Sequence, residues 1–275
     1  MALRSPITLC GSLSLHPVSL GAAMHSAGYR ALGLPFVYVP FALVEADLPA
    51  ALAGMRALGI RGFGVSMPFK LSVMPLLDRL DPLAERIGAV NTIVNDDGVL
   101  TGHNTDAWGA ARALAEALPL AGKRVVVIGA GGAARAAAFA FHEAGMRVHI
   151  ANRTKAKAEA LARDIAIDID SSGLDGLAAL DGVDAVVNCS SAGMDEYGAE
   201  VVVPEGLLQP GRVIMDIVYK PVHTRLIEAA ERAGARTVHG GRMLLHQACR
   251  QFELYTGRDA PIAVMQAALE AGIGQ

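Results

Sequence analysis

"RVVVIGAGGAARAAAFAF", residues 124–141, reads as a strand, a glycine turn and a helix in immediate succession. The β-branched run Val125–Ile128 is stiff at χ1 and suits a buried strand. "GAGGAA", residues 129–134, then matches G-x-G-x-x-G/A through Gly129, Gly131 and Ala134. Between a strand and a helix, such a turn lets the backbone approach a pyrophosphate, and the unpaired N–H groups opening the helix receive its charge. Gly129, Ala130, Gly131, Gly132, Ala133 and Ala134 are therefore candidate cofactor contacts.

Downstream, "HIANRTKAK" (149–157) has no carboxylate where a ribose hydroxyl would be bound, but it has Arg153, Thr154, Lys155 and Lys157. Guanidinium and ammonium groups beside a hydroxyl suit a 2′-phosphate, so NADP is favoured and NAD stays open. Further strands are expected at "AVVNCS" (185–190) and "RVIMDIVY" (212–219). The helical stretches "MLLHQACRQFELYTG" (243–257) and "APIAVMQAALEAG" (260–272) have no strand after them. They are expected to pack back on an earlier domain.

Upstream, strands are expected at "ITLCGSL" (7–13), "FVYVPF" (36–41) and "GFGVSM" (62–67), with helices over 20–32, 46–58 and 71–80. "AVNTIVNDDGVLTGHN" (89–104) predicts a hairpin, because Asp97-Gly98 suits a two-residue type I′ turn. That spacing sets Asn91 opposite Asn104. "NTDAWGAARALAEAL" (104–118) then opens a helix with Asn104 or Thr105 as its cap and Asp106 in its first turn. The pattern predicts an α/β chain of two domains: a discontinuous N-terminal α/β domain (1–104 plus 238–275), which the resemblance drawn below implies is the substrate domain, and a Rossmann-type dinucleotide-binding domain (105–237).

The 275-residue chain is 52% hydrophobic and 19% charged, which fits a large core and excludes disorder. A net charge of -3 leaves no basic footprint for nucleic acid. Cys10, Cys189 and Cys249 are far apart, with neither metal-ligand nor disulfide spacing; no metal is expected, and a reduced cytoplasmic location is. Prolines, serines and His16 interrupt the N-terminal apolar stretch, and no apolar run reaches the roughly 20 residues of a membrane span. Eight histidines are present, none in a convincing catalytic motif, and they read as structural or surface residues. Attention passes to Lys70, closing the apolar "GVSMPFK" (64–70), and to Asp106.

"GVSMPFK", "GAVNT", "GHNTD", "VIGAGGAARA", "ANRT", "NCSSAGM" and "MLLHQA", in this order over nearly the whole chain, resemble the shikimate dehydrogenase family. The resemblance implies NADP-linked interconversion of shikimate and 3-dehydroshikimate, with a substrate domain and a Rossmann domain. It places Lys70 and Asp106 as the catalytic pair, Lys70 being either the base or an electrostatic stabiliser and shuttle. Ser19, Ser66, Asn91, Tyr219 and Gln247 match substrate-side positions. Asn152, Arg153, Thr154, Lys157, Ser190, Ser191, Ile217 and Gly240 match the cofactor side.

The chain departs from the family in "SLGAAMHS" (19–26), where Ser19 and His25 are kept but Gly21 replaces a serine, Ala22 a proline and Ser26 an asparagine. Gly64 replaces another asparagine. These losses remove two side-chain donors and leave space for a bulkier or differently substituted acid. The primary expectation is an NADP-dependent oxidoreductase acting on shikimate or a related hydroxylated cyclic acid, as a monomer or homodimer. Two alternatives stand beside it: a quinate/shikimate dehydrogenase using NAD or NADP, and a nucleotide-binding regulatory protein with a degenerate substrate site.

Overall fold

The computed structural model describes residues 7–17, 20–166, 168–194 and 201–273. The chain divides into two compact units, Met1–Thr105 with Gln247–Gln275, and Asp106–His246.

The first unit contains β1 (Thr8–Ser14), α1 (Leu20–Ala31), β2 (Phe36–Ala42), α2 (Leu48–Ala57), β3 (Gly62–Val65), β4 (Arg79–Leu80), α3 (Pro82–Ile87), β5 (Thr92–Asp96) and β6 (Val99–His103). Its mixed sheet runs β2-β1-β3-β5-β6-β4. The β1–β2, β1–β3 and β4–β6 pairs are parallel, and the other two are antiparallel. Alternation along the strands gives each face its own core. Leu13, Phe63 and Val65 meet Leu48, Leu52 and Met55 of α2. On the opposite face, Cys10 lies in register with Tyr38 and Gly62, and Ser12 with Gly64. A Cβ on Gly62 would collide with the Tyr255 ring, so glycine is required there. Tyr255 lies on α8 (Gly240–Thr256), which crosses the boundary between the units, and α9 (Ile262–Ile273) completes the first unit.

The hairpin forms with its turn at Asp97-Gly98, both at positive φ (52° and 91°), and Asp96 paired with Val99. Its last pair is Thr92 with His103, so Asn91 and Asn104 stand one step beyond, as the spacing requires. The expected helix over 71–80 does not form. Met74–Leu76 make one 3₁₀ turn, and Arg79–Leu80 pair with β6. Pro75 lacks the N–H that an α-helix interior needs. Asp78 accepts from Leu100 N at 2.7 Å and pairs with Arg56 at 2.7 Å, which ties the segment to the hairpin.

The second unit contains α4 (Asp106–Ala115), β7 (Arg124–Ile128), α5 (Gly132–Glu143), β8 (Arg147–Ala151), α6 (Lys155–Ile165), β9 (Asp170–Ser172), β10 (Ala185–Asn188), β11 (Val213–Asp216), α7 (Arg225–Arg232), β12 (Arg236–Val238) and the first turns of α8. Its sheet runs β12-β11-β10-β7-β8-β9, with every pair parallel. Val125 and Val127 pack with Ala110 and Leu114 of α4 and Phe141 of α5. Val126 and Ile128 pack on the other face with Leu226 and Ala230 of α7. Helices on both faces explain why β7 is apolar from Val125 to Ile128. All three cysteines are buried thiols. Among the described residues no helix is long and apolar enough to cross a membrane.

Candidate active site

In the second unit the strand order reverses direction between β7 and β10, the place where open α/β sheets bind ligands. Gly129 follows β7 at φ +122°, and a Cβ there would lie 2.9 Å from the Cys189 carbonyl. Only glycine fits this approach of the two chains. Gly131 precedes the first residue of α5 in an extended conformation, with nothing within 4 Å of its Cβ position. The opening N–H groups of this twelve-residue helix thus face space suited to an anion. Ala130, Gly132 and Ala133 share the turn, while Ala134 is buried in the core.

Beyond β8, Asn152 shapes its loop by donating to the Thr154 carbonyl at 3.0 Å. Arg153, Thr154 and Lys157 are exposed. Lys155 pairs with Glu159, whereas Arg153 and Lys157 have no acidic partner within 4 Å among the described residues. Two uncommitted cations after β8 fit a 2′-phosphate.

At the ends of β10 and β11 a buried network orders the adjoining loops. Asp216 accepts from Thr224 Oγ1 (2.7 Å), Asn188 Nδ2 (3.0 Å) and Val218 N (3.1 Å). Burial pushes its carboxyl pKa up, against these bonds and nearby His239. Asn188 Oδ1 accepts from Ser190 Oγ (2.7 Å), and its carbonyl from Ile217 N (3.1 Å). Gly240 lets α8 start against the Ile217 carbonyl, which a Cβ at this position would strike. The second unit therefore brings Ser190, Ile217 and Gly240 to this edge. Ser191 is half-buried in the β10 loop, and Tyr219 is half-buried beyond β11, burial raising its phenol pKa.

The first unit builds a second polar cluster. Asn91 is 1% exposed; its Nδ2 donates to Thr105 Oγ1 and Gln247 Oε1, both at 3.0 Å. Its Oδ1 accepts from Thr105 N at 2.7 Å and Thr92 Oγ1 at 2.9 Å. Asn104 turns away to donate to the Ala89 carbonyl at 2.9 Å. Lys70 joins through its backbone, its carbonyl accepting from Val90 N at 2.9 Å. Ser66 is exposed after β3, with its N–H on the Leu13 carbonyl. Lys70 belongs to the first unit and Asp106, buried as the first residue of α4, to the second. Ser19 lies outside the described residues.

Gln251, which the motifs did not single out, donates to Thr92 Oγ1 at 3.0 Å and the Asn91 carbonyl at 3.3 Å. It lies one turn beyond Gln247, a spacing that could have flagged it. The space expected above Gly64 is filled: its Cβ position lies 3.1 Å from Tyr38 Oη and 3.3 Å from Gln251 Nε2. Neighbouring His25 is sealed, stacked on Tyr38 at 4.4 Å, and completes no hydrogen bond at either ring nitrogen. Burial holds its pKa down to about 4, Gln251 opposing. Above pH ~6.5 the ring is neutral folded or unfolded, so it leaves stability untouched. Between about 6.5 and 4 only the unfolded chain gains the proton. Stability should fall across that window by about 3 kcal/mol, then level off. Urea unfolding at several pH values should show this loss in the wild type and a clearly smaller one in His25→Gln, where His103 and His149, also held down by burial, still contribute.

A parallel dinucleotide-type unit joined to a unit carrying a lysine and a carboxamide cluster defines an NAD(P)-dependent oxidoreductase of the two-domain kind. Residues 16–93 match the shikimate dehydrogenase substrate binding domain, 111–217 shikimate / quinate 5-dehydrogenase, and 240–270 the shikimate 5′-dehydrogenase C-terminal domain. The chain is 47% identical to shikimate dehydrogenase (NADP(+)) of Natronomonas pharaonis, over 93% of this chain and 95% of that one. A shikimate dehydrogenase crystallised with NADP+ superposes with a TM-score of 0.92 at 39% identity, covering 98% of this chain and 96% of that one. The Thermus thermophilus enzyme, solved with NADP(H) and shikimate, gives 0.88 at 35% identity, covering 96% and 99%. The chain belongs to the shikimate dehydrogenase family.

Proposed function

We propose that this chain interconverts shikimate and 3-dehydroshikimate, with NADP as the redox partner. The observation that carries the reading is the buried Asn91 carboxamide, which donates to Thr105 and Gln247, while the Lys70 backbone is fixed next to it through the Val90 N–H. Because Gln247 Oε1 accepts from Asn91, the Gln247 amino group is left to donate to a substrate hydroxyl. Lys70 Nζ handles the proton of the reacting hydroxyl, and Asp106 accepts a hydrogen bond from that hydroxyl or from the ammonium. The glycine turn and the start of α5 hold the pyrophosphate, and Arg153 with Lys157 grips the 2′-phosphate. The bound nicotinamide supplies the acceptor for the substrate's hydride.

The test follows NADP reduction at 340 nm with shikimate and with quinate. Turnover of neither acid by a protein that still binds NADP would sink the reading, and quinate preferred over shikimate would replace the substrate. Arg153→Ser should raise KM for NADP about tenfold while leaving KM for NAD nearly unchanged, since an exposed ion pair to phosphate is worth ~1–2 kcal/mol. Equal effects on both cofactors would mean that Arg153 does not read the phosphate.

A further inference from the structure

Two histidines meet in the second unit: His223, on the loop between β11 and α7, and His239, between β12 and α8. Their ring centres are 5.0 Å apart, with 68° between the planes. His223 is exposed and His239 half-buried, so the pair is within reach of solvent ions. An imidazole nitrogen binds zinc at ~2.0–2.1 Å, which puts the ring centre about 3.2 Å from the metal. Two such rings at a tetrahedral angle have their centres about 5 Å apart. The observed spacing is that of a pair sharing one ion.

His239 is also prepared chemically. Its Nδ1 lies 3.3 Å from the Val222 carbonyl, which can only accept, so Nδ1 carries the proton and Nε2 keeps its lone pair. A carbonyl on the far ring nitrogen is the usual support of a metal-ligating histidine. The same bond ends on the residue before His223, which holds the two histidine segments together. Asp216, close to His239, is 0% exposed and its carboxylate is committed to Thr224, Asn188 and Val218. Among the described residues no group of three or more His, Cys, Asp or Glu side chains is placed to hold a metal. The pair therefore leaves the remaining positions to water, which makes an open and exchangeable site rather than a closed structural one. Imidazole donors select zinc, nickel or copper over magnesium and calcium, which take oxygen.

We propose that His223 and His239 form a two-histidine site for a divalent transition-metal ion of the zinc type, which staples the β11–α7 loop to the start of α8. That loop carries Tyr219, and α8 starts at Gly240 against the Ile217 carbonyl, so the ion acts on the edge where candidate cofactor contacts gather. Being open, the site fills and empties with the free ion concentration. It does not depend on which acid the protein turns over.

The experiment titrates Zn2+ into the full chain, free of any histidine tag, by isothermal calorimetry, for wild type, His223→Gln and His239→Gln, with Mg2+ as the control ion. Thermal melts with and without Zn2+ accompany it. Wild type should bind zinc and, at ~100-fold excess over Kd, melt about 3–6 °C higher. Either substitution should weaken that binding by at least the ~10–100-fold that loss of a mere outer-shell partner costs, and should remove the rise in Tm. His223→Gln is the decisive variant, because the residue is exposed and its metal-free melt should match wild type. Mg2+ should give neither heat nor shift. Zinc binding unchanged in either variant would overturn the shared site, as would a wild type that takes up no zinc or takes up magnesium equally well.

Discussion

Lys70→Met is expected to lower kcat with shikimate by about 10²–10⁴, the range that positioned proton transfer contributes. NADP affinity should be unchanged, because every candidate cofactor contact lies in the other unit. Methionine keeps the length and apolar stem of the side chain and removes the ammonium. The substitution should also be structurally mild. The bond that Lys70 makes to Val90 N uses the backbone carbonyl, which any residue supplies. A melting temperature close to wild type together with lost turnover would assign the effect to chemistry. Turnover within a few-fold of wild type would show that another group moves the proton.

The second large effect concerns stability. Asp216→Ala removes the acceptor shared by Thr224 Oγ1, Asn188 Nδ2 and Val218 N in a position with 0% exposure. Each stranded donor costs about 1–3 kcal/mol, although relaxation around a small side chain recovers part of that. A total near 3–5 kcal/mol should lower Tm by roughly 10 °C, measured by calorimetry. The loss should propagate. Thr224 caps α7 through Ile227 N, and Asn188 holds Ser190, so KM for NADP should rise in the surviving folded protein. Thr224→Ser, which keeps the hydroxyl, should stay near wild type. If Asp216→Ala melted with the wild type, the three donors would have found other partners.

The hairpin was legible in advance because its signal is local: Asp97-Gly98 adopts positive φ at both positions, and the two-residue turn then determines every pair along β5 and β6. The glycine turn was legible for the same reason, strand, turn and helix being contiguous. The segment 71–80 was misread because its apolar spacing suits a helix while Pro75 and the pairing of β4 with β6 do not. Gln251, Tyr38 and the Asn188–Asp216–Thr224 network were not legible. Their partners lie far away along the chain, and each alone looks like an ordinary helix or strand residue. Gly64 shows the limit most directly. As a missing side chain it implied room, yet the space is taken by a tyrosine from β2 and a glutamine from α8.

The buried cysteines have a practical consequence for labelling. Burial pushes the Cys10 thiol up to about 12, and Cys189 is raised further by burial with Asp216 and Asp106 nearby. Cys249 is buried against the Met265 sulfur at 3.9 Å. Maleimides react with exposed thiolates, and the native fold offers them almost none. A cysteine introduced at exposed Lys155, whose neighbours include the candidate phosphate contacts, would be dyed against a nearly silent background, and cofactor arrival could be followed by its fluorescence without first stripping the native thiols.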